Sequence, residues 1–169
     1  MKTSPPTFAR SETGERLFES FFIGGFECST HLLRSGRRLD LVAATAHDRF
    51  CDLDYARLRR QGIAVARDGI RWHLIEAHPS EYDFSSVLPI VEAARAHRIQ
   101  VLWDLCHYGW PEDIDIFKPA FVDRYVRFVV KFTEWLSDHI EGPFFFAPIN
   151  EISFFSWAGG DDQIGRAHV

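Results

Sequence analysis

The stretch DFSSVLPIVEAARAHRIQVLWDL, residues 83–105, decides the fold. It opens with Asp83, Ser85 and Ser86, residue types that cap helices by accepting hydrogen bonds from free backbone N–H groups. Val87, Ile90, Val91 and Ala94 then fall at the three- and four-residue spacing of one apolar helical stripe. Pro89 is tolerated because it lies near the first turn, where its missing N–H would have no helical acceptor. From Ile99 the pattern changes: IQVLWDL (99–105) is a short, nearly continuous apolar run, which suits a strand covered on both faces. An amphipathic helix that leads directly into a buried strand is the repeating element of a parallel α/β sheet.

The same alternation recurs on either side. Upstream, FFIGGF (21–26) reads as a buried strand that runs into a loop at Gly24–Gly25. HDRFCDLDYARLRRQ (47–61) carries Phe50, Leu53, Tyr55 and Leu58 near helical spacing, with Gly62 as its stop. IAVAR (63–67) is a second strand. Downstream, PAFVDRYVRFVVKFTEWLSDHI (119–140) places Phe121, Tyr125, Phe128, Val129, Phe132, Trp135 and Leu136 on one helix face, and Gly142–Pro143 ends it. FFFAPIN (144–150) is a fourth strand. The expected fold is α/β, about four parallel strands in sequential order with helices on the outer face. At 169 residues the chain is short for a closed eight-stranded barrel, which takes about 250.

Composition narrows the function classes. The formal net charge is −5, and acids follow or precede the arginine groups at 34, 37 and 38 and at 57, 59 and 60, so a nucleic-acid surface is not expected. Three cysteines, Cys28, Cys51 and Cys106, without CxxC spacing argue against a disulfide framework or a structural zinc site. No metal or cofactor is expected. The N-terminus lacks the apolar core of a signal peptide, and no apolar run approaches the roughly 20 residues of a membrane span, so the expected location is cytoplasmic, without membrane contact. The 16 Phe, 5 Trp and 4 Tyr suit either a large core or a sugar-stacking cleft. The organisation expected is a loose arm over 1–18, the α/β domain over 19–160 and a non-native-looking tail over 161–169. QIGRAHV (163–169) matches the translation of a common sequencing-library adapter, so the natural gene is expected to continue beyond about Asp162.

In parallel α/β units, functional groups gather where strands end and the following loops begin. The first strand is followed by Glu27 and His31. The second ends on Arg67 and Asp68, with Trp72 close behind. The third is followed by Asp104, His107 and Tyr108, and the fourth by Asn150 and Glu151. Singly, a His or Asp here is more often a loop hydrogen-bond partner, an Arg half of an ion pair, and a Trp plain core. Their joint placement on one rim is the functional signal.

These segments carry a resemblance. FFFAPINEISFFSW (144–157) resembles the fourth-strand motif of clan A glycosidases, in which an Asn-Glu pair ends the strand. FFIGGFECSTH, VARDGIRWHLIE and DLCHYGWPEDI are similar to the first-, second- and third-strand segments of glycoside hydrolase family 1, in the right order. The resemblance covers roughly residues 20–160 and implies the N-terminal half of a (β/α)8 TIM barrel from a retaining β-glycosidase, closest to β-glucosidases. It implies Glu151 as general acid/base, Asn150 on the sugar 2-hydroxyl, His107 on the glycone and Arg67 beneath the nucleophile, with His31 and Tyr108 also substrate-binding. The chain departs from the family pattern at His31 (usually Gln), at Tyr108 (usually Trp), and at Asp68 and Arg71 (usually uncharged).

A retaining glycosidase needs two carboxyl groups about 5–5.5 Å apart. Its acid must hold a proton near neutral pH, and the apolar residues around Glu151 (Ile149, Ile152, Phe154 and Phe155) suit that. The family's nucleophile comes from a seventh strand, and no apolar run follows Trp157. The expected function is therefore glycoside hydrolysis in carbohydrate metabolism, with this chain an inactive fragment that takes a carbohydrate or glycoside ligand. A non-catalytic carbohydrate-binding half-barrel is one alternative. A phosphosugar-type enzyme is another, for which Gly24–Gly25 and Gly159–Gly160 are slight as phosphate loops. The sugar, the linkage and the oligomeric state are not legible.

Overall fold

The computed structural model describes residues 16–33 and 35–161, with residues 158–161 as backbone alone. Most of the expected N-terminal arm and C-terminal tail lies outside the described residues. The elements in chain order are β1 (Ile23–Gly25), β2 (Thr30–Leu32), β3 (Arg38–Asp40), α1 (Leu41–Ala44), α2 (His47–Arg60), β4 (Val65–Gly69), α3 (Trp72–Ile75), α4 (Leu88–His97), β5 (Gln100–Asp104), α5 (Ala120–Ser137), β6 (Phe145–Ala147) and α6 (Ile152–Asp161).

Four strands form one sheet in the order β1-β4-β5-β6, and every pairing is parallel. Ile23 pairs with Val65, Val65 with Gln100, and Leu102 with Phe145. The fold is the N-terminal half of a (β/α)8 barrel, four sequential parallel strands flanked by helices. Among the described residues no helix is long and apolar enough to cross a membrane.

Strand periodicity divides the side chains between two faces. Ala66, Val101 and Trp103 point outward to the helices, and Trp103 meets Phe132 of α5 edge-on at 5.6 Å. Trp72 stacks on Phe128 at 4.8 Å, and both are fully buried. Each such side chain stabilises the fold by about 1.5–3 kcal/mol. The apolar stripe expected on α5 is the buried one: Phe128, Phe132 and Leu136 are inaccessible, and Phe121, Tyr125, Val129 and Trp135 pack against the core. Helix α2 packs closely over Gly24: a Cβ there would sit 2.8 Å from Leu58 Cδ2, so the Leu58 side chain would have to shift.

Other details differ from the sequence reading. On α2 the buried residues are His47, Cys51 and Tyr55, while Phe50 and Leu53 are exposed, because bonds from His47 and Tyr55 to the sheet set the helix rotation. Helix α4 starts at Leu88: the Asp83 carboxylate accepts from Ser85 N and forms a preceding turn instead of a cap. Gly62, at φ +74°, does end α2, with its N–H on Arg59 O and Ile63 N–H on Leu58 O. The antiparallel β2–β3 hairpin and the short α1 and α3 were not expected from periodicity, which three- and four-residue elements cannot display, and the ten-residue α6 was not expected either. At the opposite end of the sheet, Gln100 bonds Leu17 O and Glu19 N, and Ser20 Oγ accepts from Ala64 N, so residues 17–20 lie across the strand starts.

Candidate functional site

The inner face of the sheet carries Arg67, Gly69 and Asp104, with Gly69 paired to Asp104 across β4 and β5. The carboxylate of Asp104 is fully buried. Its Oδ2 accepts from the Arg67 guanidinium at 2.5 Å and lies 3.0 Å from His107 Nδ1. The Cys28 thiol is 3.6 Å from the same oxygen and 3.1 Å from His107 Nδ1. Gly69 makes room for this cluster, since a Cβ there would collide with Cys28 Cβ and Sγ. Asp104 Oδ1 is buried without a hydrogen-bond partner. Burial first, then the charge of Asp104, pushes the Cys28 thiol well above the usual thiol range, so it stays protonated.

Asn150 follows β6 and is tied to the neighbouring loop by its N–H on Cys106 O at 3.0 Å. Its side chain joins the rest of the rim. Oδ1 accepts from Arg67, and Nδ2 donates to His107 Nε2 at 2.9 Å and to Tyr108 Oη at 3.1 Å. The Tyr108 hydroxyl in turn donates to Glu151 Oε2 at 2.6 Å. Burial and then this bond push the Tyr108 phenol up to about 12. Tyr108 and Glu151 both adopt left-handed backbone, at φ 60° and 44°. Such positions cost non-glycine residues about 1–3 kcal/mol and cluster at functional sites.

Arg67, His107, Tyr108, Asn150 and Glu151 therefore form one hydrogen-bonded chain at the C-terminal ends of the strands. His31 stays apart from it. It sits half-buried in the β2–β3 hairpin with Nδ1 unpartnered, and burial, then Arg38, lowers its pKa. The hairpin itself docks on the site loop, where Thr30 N–H donates to His107 O at 3.1 Å. Glu27 reaches within 3.9 Å of His107 Nε2, and the Ser29 N–H holds its carboxyl below the usual range. Glu151 is exposed, as are Ile152 and Phe154; of its expected apolar surroundings, Phe155 is buried.

Two rim expectations are corrected. Asp68 projects to the outer face, one residue out of phase with Arg67, and is buried against His47 (2.8 Å) and Tyr55 (2.7 Å). Trp72 is core, with Nε1–H donating to Glu76 at 2.8 Å. Sequence reasoning missed Cys28 as a site residue and left Asp104 without a role. An isolated cysteine reads as a small buried hydrophobe, and only the pairing of β1 with β4 and of β4 with β5 brings the loop that carries it to Asp104. Among the described residues, Cys28, Asp104 and His107 offer sulfur, oxygen and nitrogen donors within 4.8 Å of one another, types that zinc accepts. The Arg67 guanidinium already holds the Asp104 oxygen they would share. The chemistry most directly available is that of an exposed carboxylate, Glu151, bonded by a phenol that the Asn150 amide holds in turn.

No protein-family profile matches the sequence, and no curated protein matches it. Solved structures do match in fold. A β-glucosidase from Exiguobacterium marinum is 18% identical with a TM-score of 0.57, over 67% of this chain and 26% of that one. A psychrophilic β-glucosidase from Micrococcus antarcticus is 15% identical with a TM-score of 0.62, over 76% and 28%. An exo-β-1,4-mannosidase from an Opitutaceae bacterium is 20% identical with a TM-score of 0.53, over 84% and 27%. The chain thus has a glycoside-hydrolase-like fold and spans only 26–28% of the length of these structures.

Proposed function

We propose that this chain is the acid/base half of a retaining β-glycosidase. One observation carries the reading: Arg67, Asn150, Tyr108 and Glu151 form a continuous hydrogen-bonded chain at the C-terminal ends of four parallel strands, where barrel enzymes keep their chemistry. In this reading Glu151 protonates the leaving glycosidic oxygen and then deprotonates the attacking water. Asn150 and His107 bind sugar hydroxyls, and the exposed aromatics Phe154 and Trp157 offer stacking surface beside Glu151. Double displacement also needs a nucleophilic carboxylate about 5–5.5 Å from the acid. The group the structure puts on Glu151 is the Tyr108 hydroxyl, so the nucleophile is assigned to a seventh strand supplied from outside these residues.

The test is an extended chain that carries the remaining strands, assayed on aryl β-glycosides. Glu151→Gln should lower turnover roughly 10²–10⁴-fold on substrates with poor leaving groups and far less on activated ones, because only the former depend on the proton. Equal rates for wild type and variant on a poor leaving group would remove Glu151 from the acid role.

A further inference from the structure

We infer that Asp104 is a positioning residue that fixes His107 as the tautomer with its proton on Nδ1, so that Nε2 meets the rim as a hydrogen-bond acceptor. The argument runs from the one group whose chemistry is not ambiguous. A guanidinium has only donors. The Asn150 atom that meets Arg67 must therefore be the carbonyl oxygen, and this sets the amide orientation. The amide nitrogen then faces His107 Nε2 at 2.9 Å and Tyr108 Oη at 3.1 Å, so both of its hydrogens are used. A nitrogen that receives an N–H carries a lone pair and no proton. The ring proton belongs on Nδ1, where the buried Asp104 Oδ2 waits at 3.0 Å. The Cys28 thiol, also beside Nδ1, is kept protonated by its burial and donates to the same carboxylate.

Two consequences follow for the rim. A ligand hydroxyl that meets His107 Nε2 must donate its hydrogen, in place of the Asn150 amide, so a deoxy or methoxy group at that position is rejected. Metal ligation by Cys28, Asp104 and His107 would need the lone pair of Nδ1, which this tautomer does not have. The inference concerns the same rim as the glycosidase reading but requires no turnover, so either can fail alone.

The experiment uses the full chain labelled with ¹⁵N-histidine. Two-bond ¹H–¹⁵N correlation reads each ring's tautomer, and loss of one pattern in His107→Gln assigns His107 among the eight histidines. A protonated, pyrrole-type Nδ1 and an unprotonated, pyridine-type Nε2 are expected, and the reverse pattern overturns the inference. In Asp104→Ala the Nδ1 preference should be lost while exposed His78 keeps its wild-type pattern. A folded Asp104→Ala chain that retains the Nδ1–H tautomer would show that Asp104 does not set it. A Co²⁺ titration of the wild-type chain gives a second reading that needs no Asp104 variant. No sulfur-to-cobalt absorption is expected, and a band that disappears in Cys28→Ala would overturn the assignment.

Discussion

Replacing Asp68 with alanine should cost the fold about 3–5 kcal/mol, although the residue lies next to the proposed site. Asp68 is fully buried, as is Tyr55, and His47 is 2% exposed. One carboxylate oxygen accepts from Tyr55 Oη at 2.7 Å and lies 2.8 Å from His47 Nε2, while the other accepts from Gly69 N–H at 2.8 Å. Alanine leaves the Tyr55 hydroxyl unpaired, worth about 1–3 kcal/mol. It also strips a buried partner from His47, and breaking a buried pair costs about 3–5 kcal/mol. That is a large part of the 5–15 kcal/mol typical of a whole domain. Urea unfolding followed by circular dichroism should show a lower midpoint at unchanged slope. Tyr55→Phe alone should cost about 1 kcal/mol. The double variant should cost less than the sum, because removing the hydroxyl removes the orphaned donor. A loss below about 1 kcal/mol for Asp68→Ala, or strict additivity with Tyr55→Phe, would refute the claim that this triad pins α2 to the sheet.

Further expectations concern pH, packing and association. Burial, then Arg38, depresses His73 from 6.5 to about 4, so its contribution is present above pH 6.5 and lost as pH falls towards 4, by at most about 3 kcal/mol; His73→Gln should remove that slope from pH-dependent unfolding. Burial lowers the His47 pKa, but the bonds and charges of Asp68 and Asp54 outweigh it, so the net shift is upward. Stability from His47 is therefore full below pH 6.5 and lost as pH rises through its folded value, a slope that His47→Gln should abolish. Gly109→Ala should cost about 1–3 kcal/mol in urea unfolding, because the added Cβ would lie 2.6 Å from the Thr30 carbonyl oxygen and closer still to its hydroxyl. Residues 1–169 alone should show no aryl-glycosidase turnover and should associate through the sheet-edge strands β1 and β6, with Phe21, Phe22 and Ile23 exposed at the β1 edge; a soluble monomer with turnover would contradict both the missing nucleophile and the edge argument.

The sequence by itself determined the four parallel strands, the long helices α2, α4 and α5, and their order. Helix-period stripes such as Phe121 to Leu136 and buried runs such as IQVLWDL are local patterns, and each maps onto one element. It also indicated the strand ends that carry Arg67, His107, Asn150 and Glu151, because a strand end is a change of pattern along the chain. Tertiary structure alone decided which neighbours face the same way. Arg67 and Asp68 are adjacent in sequence, yet one joins the rim and the other anchors α2, since a strand turns successive side chains to opposite faces and a one-residue shift reverses the assignment. Cys28, in the loop after β1, also reached the site only through the tertiary fold. It lies 76 residues from Asp104, and only the parallel register of the sheet, with Gly69 left empty between them, brings thiol, carboxylate and imidazole into contact.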